Sequence, residues 1–219
     1  MQTRYGGIDA VLFDVSGVLI DDMRAVYETN MRTIEAHGQK RITFEEWQRM
    51  QPITLKKLLE KLGVIMEQEE INRDFERVFL EVRKDPRFDL TLIDGAVEAL
   101  AKLERSGIKL FVVSAHAKGT LELELARLGI RNFFADVIGG TSQDKATAIK
   151  KLLRSNNLDP KRVIFIGDTI HDLISGKIAG VKTAAVSTGY NTHETLIAQN
   201  PTISVSRSLD EFLKELGID

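Results

Sequence analysis

Residues 163–172 read Val-Ile-Phe-Ile-Gly-Asp-Thr-Ile-His-Asp, an apolar run that stops at Gly167 and gives way to two carboxylates, Asp168 and Asp172. A short run that is apolar at every position suits a strand covered on both faces, as in a parallel sheet, rather than one with a wet face. The residues that follow predict a helix over 170–179, and the spacing of Asp168 and Asp172 puts both carboxylates on one side of its start. Strand, turn and helix in this order are the repeating unit of an open α/β sheet.

The same alternation extends outward. Upstream, a helical pattern at 94–106 is broken at Gly107 and followed by an apolar run at 109–114. A helix is expected at 119–128, a short strand at 136–138 and a helix at 144–154; downstream, 183–186 is another apolar run. Ala10-Val11-Leu12-Phe13 is apolar throughout and must pair with strands distant in sequence. Residues 20–90 between them show no convincing strand. They carry four helical patterns, 22–37, 43–50, 54–62 and 67–84, with stops at Gly38, Pro52, Gly63 and Pro86. Trp47, Phe75 and Phe79 fall at helical spacings and are expected in the core of this inserted module, with His37 at a helix C-terminus, where it meets the favourable end of the dipole.

The chain has 219 residues, 43% of them hydrophobic and 28% charged, enough to bury a core of one large or two small domains. Its net charge is −2, with Lys and Arg scattered, so no basic face is expected for nucleic acid or an anionic membrane. A small soluble ligand fits better. No window approaches the roughly 18 apolar residues of a membrane helix, and the N-terminus lacks a signal-peptide profile, so a cytoplasmic location is expected. The absence of cysteine excludes disulfides and thiolate chemistry, so any metal must be held by oxygen or histidine. No feature fixes an oligomeric state.

In an open parallel sheet the ligand site lies beyond the carboxyl ends of the strands. Three strand ends carry candidate groups: Asp14, Ser16 and Gly17 after the first run, Ser114 after 109–113, and Asp168 with Asp172 in the quoted stretch. Carboxylates gathered at one point repel one another and call for a cation. Mg²⁺, a hard ion that takes oxygen ligands together with substrate phosphate, meets that need.

The order of these elements resembles the haloacid dehalogenase-like hydrolase superfamily over nearly the whole chain, in its capped branch that includes phosphoglycolate phosphatases and β-phosphoglucomutases. Asp-Val-Ser-Gly-Val-Leu at 14–19 is similar to the family's first motif and implies Asp14 as the nucleophile. Ser114 resembles the second motif, binding a phosphoryl oxygen with Ala115 and Gly17. Lys145 resembles the third, balancing charge on Asp14 and the phosphoryl group, and Gly167, Asp168 and Asp172 resemble the fourth. The resemblance implies metal binding by Asp14, the Ser16 backbone carbonyl, Asp168 and Asp172, with Asp168 a direct ligand. It also implies an α/β fold with a Rossmann-like three-layer core of residues 1–19 and 91–219, and a helical cap of residues 20–90 hinged at flexible linkers near Ile20 and Phe88. The activity implied is Mg²⁺-dependent hydrolysis of a small phosphorylated metabolite.

Position 16 departs from the pattern. Most phosphatases of the family carry there a second aspartate that protonates the leaving oxygen and then activates water; loss of such help typically costs about 10²–10⁴ in rate. Three readings follow: a slow phosphatase drawing on water, His116 or His171; a phosphonatase-like enzyme using cap lysine Lys56 or Lys57; or a binding protein without turnover. Ser142-Gln143-Asp144-Lys145 has the Ser-x-x-Lys spacing of penicillin-recognising enzymes, but the partner motifs of those enzymes are missing.

Overall fold

In the computed structural model, which describes residues 2–3, 6–50, 54–141 and 144–218, the strands and α-helices in chain order are β1 (Gln2–Thr3), β2 (Gly6–Gly7), β3 (Ala10–Phe13), β4 (Ile20–Asp21), α1 (Met23–Ala36), α2 (Phe44–Arg49), α3 (Leu55–Lys61), α4 (Gln68–Val82), β5 (Thr91–Leu92), α5 (Ala96–Arg105), β6 (Lys109–Val113), α6 (Lys118–Arg127), β7 (Phe134–Ile138), α7 (Lys145–Ser155), β8 (Val163–Gly167), α8 (Ile170–Ala179), β9 (Lys182–Val186), α9 (His193–Ile197), β10 (Val205–Ser206) and α10 (Leu209–Leu216). Pro52, Ser142 and Gln143, singled out above, lie outside the described residues. Among the described residues no helix is long and apolar enough to cross a membrane.

Two compact units form, residues 1–21 with 92–219, and residues 22–91. The first holds a six-stranded sheet in the order β10-β9-β8-β3-β6-β7, every pairing parallel. This is the α/β arrangement that the apolar runs predict. All four residues of β3 are buried, as an unbroken apolar strand at the sheet's centre must be. In register, Phe13 lies between Val112 and Ile166, so the chain leaves β3, β6 and β8 at nearly one level. From β3 the sheet grows first toward β6 and β7 and then on the other side through β8, β9 and β10. The reversal falls between β3 and β8, and a crevice at such a switch point is where open sheets bind ligands.

Side-chain alternation divides the core. Ala10, Leu12, Phe111, Val113, Val163 and Phe165 pack with Ile149, Leu152 and Leu153 of α7 and with Ala179 of α8. The alternate residues Val11, Phe13, Leu110, Val112, Ile164 and Ile166 are buried on the opposite face, where α5 packs against β6 and α10. Helix α8 approaches β9 closely because residue 176 is glycine: a Cβ there would stand 2.6 Å from Thr183 Cγ2.

The second unit is helical. Helix α1 packs on α4, and Tyr27, Phe44 and Trp47 form an aromatic cluster with ring centroids 5.2 to 5.9 Å apart. Trp47 and Phe79 are buried and Phe75 stacks on Phe79. Thr43 and Glu46 start α2 with a reciprocal capping box, and Arg41 spans Glu28 and Glu35.

Several elements correct the sequence reading. Ile20–Asp21 is a strand and pairs with Thr91–Leu92, although 20–90 reads as strand-free; two residues are too few to show a period of two. Near the expected linkers, Ile20 N donates to Val15 O and Pro86–Phe88 is a turn capped by Asp85, neither of which tests their flexibility. β7 starts at Phe134 rather than 136, because exposed Ala135 and its polar neighbour Asp136 obscure the apolar run. Beyond residue 186, α9, β10 and α10 complete the sheet and its cover without a marked apolar run.

Overpacking predicts the cost of filling the α8–β9 contact. Gly176→Ala should destabilise the chain by about 1–3 kcal/mol, read as a lower urea midpoint at unchanged slope.

Candidate active site

Each strand end delivers one group to the crevice. Asp14 follows β3 and its N–H donates to Ile166 O at 2.9 Å, tying the nucleophile candidate to the neighbouring strand. Ser114 follows β6; its N–H donates to Ile138 O, and its carbonyl accepts from Thr141 Oγ1 at 2.9 Å. Ala115 continues at the surface. Asp168 follows β8, and Asp172 sits in the first turn of α8, inside a capping box with Thr169.

Lys145 is the first residue of α7 and only 4% exposed. A buried ammonium at a helix N-terminus opposes both desolvation and the dipole, so it needs strong compensation. Two carboxylates supply it: Nζ donates to Asp172 Oδ1 at 2.6 Å and to Asp14 Oδ1 at 3.0 Å. Burial disfavours the Lys145 charge, yet these two partners raise its pKa well above the usual lysine value. Asp172 accepts from Thr169 N and Oγ1 through its other oxygen. Burial opposes its ionisation, but Lys145 and Thr169 outweigh that and hold its carboxyl below the usual range. Asp14 is left with the smaller share of one ammonium: burial first, then repulsion by Asp172, raises its carboxyl to about 6 against the pull of Lys145. The closer partner takes the charge, as expected when coupled groups share one counter-ion.

Asp14, Asp168 and Asp172 are all buried, and each offers an oxygen within 4.8 Å of the others. One ammonium cannot neutralise three such carboxylates. The space beside them is kept open by glycine, since a Cβ on Gly17 or Gly189 would overlap Asp168 Oδ2. Gly17 has φ +70, which glycine adopts without strain. An all-oxygen donor set beside a cradle without side chains fits a hard divalent cation.

Ser16 Oγ lies 3.0 Å from His116 Nε2. The other ring nitrogen, Nδ1, is 3.7 Å from Glu124 Oε2 on α6, and Glu124 is 6% exposed. The backbone holds His116 in place: its N–H donates to Ser114 Oγ at 3.2 Å and its carbonyl accepts from Gly140 N at 2.6 Å. His171 sits on α8, where burial lowers its pKa. The structure therefore joins one of the two candidate histidines to Ser16. Lys56 and Lys57 lie on α3 of the second unit, Lys57 exposed.

Sequence reasoning misses the turn after β9. Tyr190 N donates to Asp168 Oδ2 at 2.6 Å, and Thr188 Oγ1 donates to Gly17 O at 2.5 Å. The signal was present: Ser-Thr-Gly-Tyr-Asn at 187–191 directly follows an apolar run, as the other site segments do.

Residues 11–186 match the family model of haloacid dehalogenase-like hydrolases. The chain is 25% identical over 195 residues to a phosphoglycolate phosphatase of Synechococcus elongatus, covering 89% of this chain and 91% of that protein. It is 26% identical over 210 residues to the pyrophosphatase PpaX of Bacillus velezensis, with 93% and 94% covered. A haloacid dehalogenase-like family hydrolase from Streptococcus pneumoniae shares the fold at TM-score 0.79 and 20% identity, with 94% of this chain and 97% of that one aligned.

The burial of Asp14, with the nearby Asp172 carboxylate, predicts a pH-dependent strain when no divalent cation is present. A carboxyl raised to about 6 contributes stability that is present at low pH and lost as pH rises through 6. In EDTA, Asp14→Asn should melt about 2–5 °C higher than the natural chain at pH 8, the gain shrinking toward pH 4. Saturating Mg²⁺ should reverse the order. Circular-dichroism melts test this, and a pH-independent difference would show that Asp14 is not the strained group.

Proposed function

The chain belongs to the haloacid dehalogenase-like hydrolases, and on that premise we propose that it is a phosphoric monoester hydrolase that passes the phosphoryl group of a small phosphorylated metabolite to Asp14 and then to water. The observation that carries the reading is the buried hydrogen-bonded set Asp14–Lys145–Asp172 at the switch point of the sheet. The names of the relatives make phosphoglycolate and pyrophosphate the first substrates to try.

Phosphoryl transfer asks the protein mainly for position and opposite charge. Asp14, tethered at its backbone to β8, presents an oxygen to phosphorus while Lys145 offsets the negative charge that gathers there. Ser114 and the backbone at Ala115 receive phosphoryl oxygens; the expected role of Gly17 there does not fit, because its N–H already donates to Ile20 O, and Gly17 instead supplies the tight turn beside them. Asp14 and Asp168, with the Ser16 carbonyl, would hold the divalent cation, for which Mg²⁺ is the candidate. When bound, it supplies positive charge that shields the nucleophile from the phosphoryl oxygens. Asp172 acts chiefly by fixing Lys145, since both of its oxygens are already engaged by Lys145 and Thr169.

Breaking the P–O bond leaves an alkoxide that needs a proton, and a serine hydroxyl alone is a poor source near neutral pH. An imidazole exchanges protons in that range. His116 stands behind Ser16, with Glu124 beside its far nitrogen, so the proposed path runs from His116 through the Ser16 hydroxyl to the leaving oxygen, and back from water when the aspartyl phosphate is hydrolysed.

Hydrolysis of a panel of phosphate monoesters and pyrophosphate with Mg²⁺ tests this. Turnover should vanish in Asp14→Asn, and Ser16→Asp should raise kcat. His116→Asn should lower kcat by about 10²-fold in the natural chain but little in the Ser16→Asp background. An equal loss in both backgrounds would exclude the His116 path. Activity found only in Ser16→Asp would identify the natural chain as a binding protein.

A further inference from the structure

Strand ends β3 and β8 bring Asp14 and Asp168 together, but like charges at that distance push the segments apart, and the strands end before either carboxylate. The backbone of Asp14 is tied to β8 through Ile166 O, but the turn at Gly17 and the Asp168 carboxylate lie beyond that bond and need fixing contacts of their own. We propose that residues 187–191 are a clamp that supplies them, with Thr188 as its positioning residue, and that the clamp sets the affinity of the site for a divalent cation. The inference rests on the reading of Asp14 and Asp168 as the metal carboxylates.

The clamp hangs on the far side of the sheet, where Ser187 N donates to Ser206 O at 2.9 Å. From there it grips two segments at three points. Thr188 Oγ1 donates to Gly17 O at 2.5 Å, in the turn that follows Asp14. Tyr190 N donates to Asp168 Oδ2 at 2.6 Å. Asn191, 4% exposed, accepts the first free N–H of α8, from Ile170, through Oδ1 at 2.9 Å. Between these grips Gly189 lies flat on Gly17: a Cβ built on either would stand 2.6 Å from the other's Cα.

These contacts constrain the groups that matter. Asp168 receives a fixed donor on one oxygen, so its carboxylate cannot rotate freely. Gly17 N donates to Ile20 O at 2.8 Å while Gly17 O is held by Thr188, so both peptide planes around Gly17 are pinned. Because the peptide is planar and trans, the bond of the Gly17 N–H to Ile20 O fixes the direction of the Ser16 carbonyl, and Thr188 holds the adjoining plane against it. Outer-shell contacts of this kind typically control metal affinity by about 10- to 100-fold.

Calorimetric titration of the full chain with Mn²⁺ alone, together with the electron paramagnetic resonance signal of free Mn²⁺, tests the clamp without reference to turnover. Thr188→Val should weaken Mn²⁺ binding by about tenfold, and Thr188→Ser, which keeps the hydroxyl, should restore it. Gly189→Ala, which wedges Gly17 from Asp168, should weaken binding at least as much. Melting in EDTA should leave Thr188→Val within a few degrees of the natural chain, so that lost binding is not lost folding. Native affinity in Thr188→Val, or equal loss in Thr188→Ser, overturns the clamp. Failure of the natural chain itself to bind Mn²⁺ overturns the metal reading beneath it.

Discussion

The buried ammonium of Lys145 is the constraint on which the site depends. A lysine is tolerated in an apolar interior only when opposite charge lies within hydrogen-bond reach, and here two carboxylates, one at the end of β3 and one in the first turn of α8, provide it. Neither partner can move without stranding the cation. The arrangement therefore locks β3, α7 and α8 together at one point, although they lie far apart in sequence. Lys145 is hydrogen-bonded to Asp14 and Asp172, while Asp168, the third carboxylate of the cluster, is not one of its hydrogen-bond partners. Three buried carboxylates within 4.8 Å of one another are the feature on which the proposed cation site rests.

The sheet makes this possible at little local cost. Because β3 is apolar throughout and paired on both sides, its end is positioned to within the register of two neighbours, and Asp14 inherits that precision. The acidic groups sit beyond the strands, where the chain has turned and backbone donors become available. Asp168 takes one from Tyr190 and Asp172 one from Thr169. A carboxylate within the fully buried β3 would instead be enclosed among apolar side chains.

Much of this was legible in the sequence where the signal was strong. Four-residue or longer apolar runs marked β3, β6 and β8, and the glycine and twin carboxylates of 163–172 marked the start of α8. The reading failed where the determinants are short or contextual. β4 and β5 hold two residues each, and β10 carries Val205 and Ser206, which form a strand only because β9 offers an edge. Within the site, Asp14, Ser114, Lys145, Asp168 and Asp172 were found because acidic, hydroxyl and basic residues at strand ends are chemically suggestive. Thr188, Gly189 and Glu124 were not. Their contributions come from a backbone carbonyl, a missing side chain and a helix face turned inward, none of which residue type announces.

Ser16 separates two tasks that one aspartate performs in most relatives of the family. The backbone at position 16 contributes a carbonyl whose direction depends on the turn around Gly17, and any side chain leaves that turn intact. The side chain contributes proton transfer, which depends on its chemistry alone. On the proposed reading serine keeps the first and lacks the second. The loss is local, because charge balance among Asp14, Lys145 and Asp172 does not pass through position 16. It is also repairable locally, because a hydroxyl is small enough to let an imidazole approach to 3.0 Å from the next strand end. A second aspartate there would instead add a fourth carboxylate to a cluster already short of positive charge. On the proposed path the proton-transfer group sits one side chain further back, at His116, between Ser16 and Glu124.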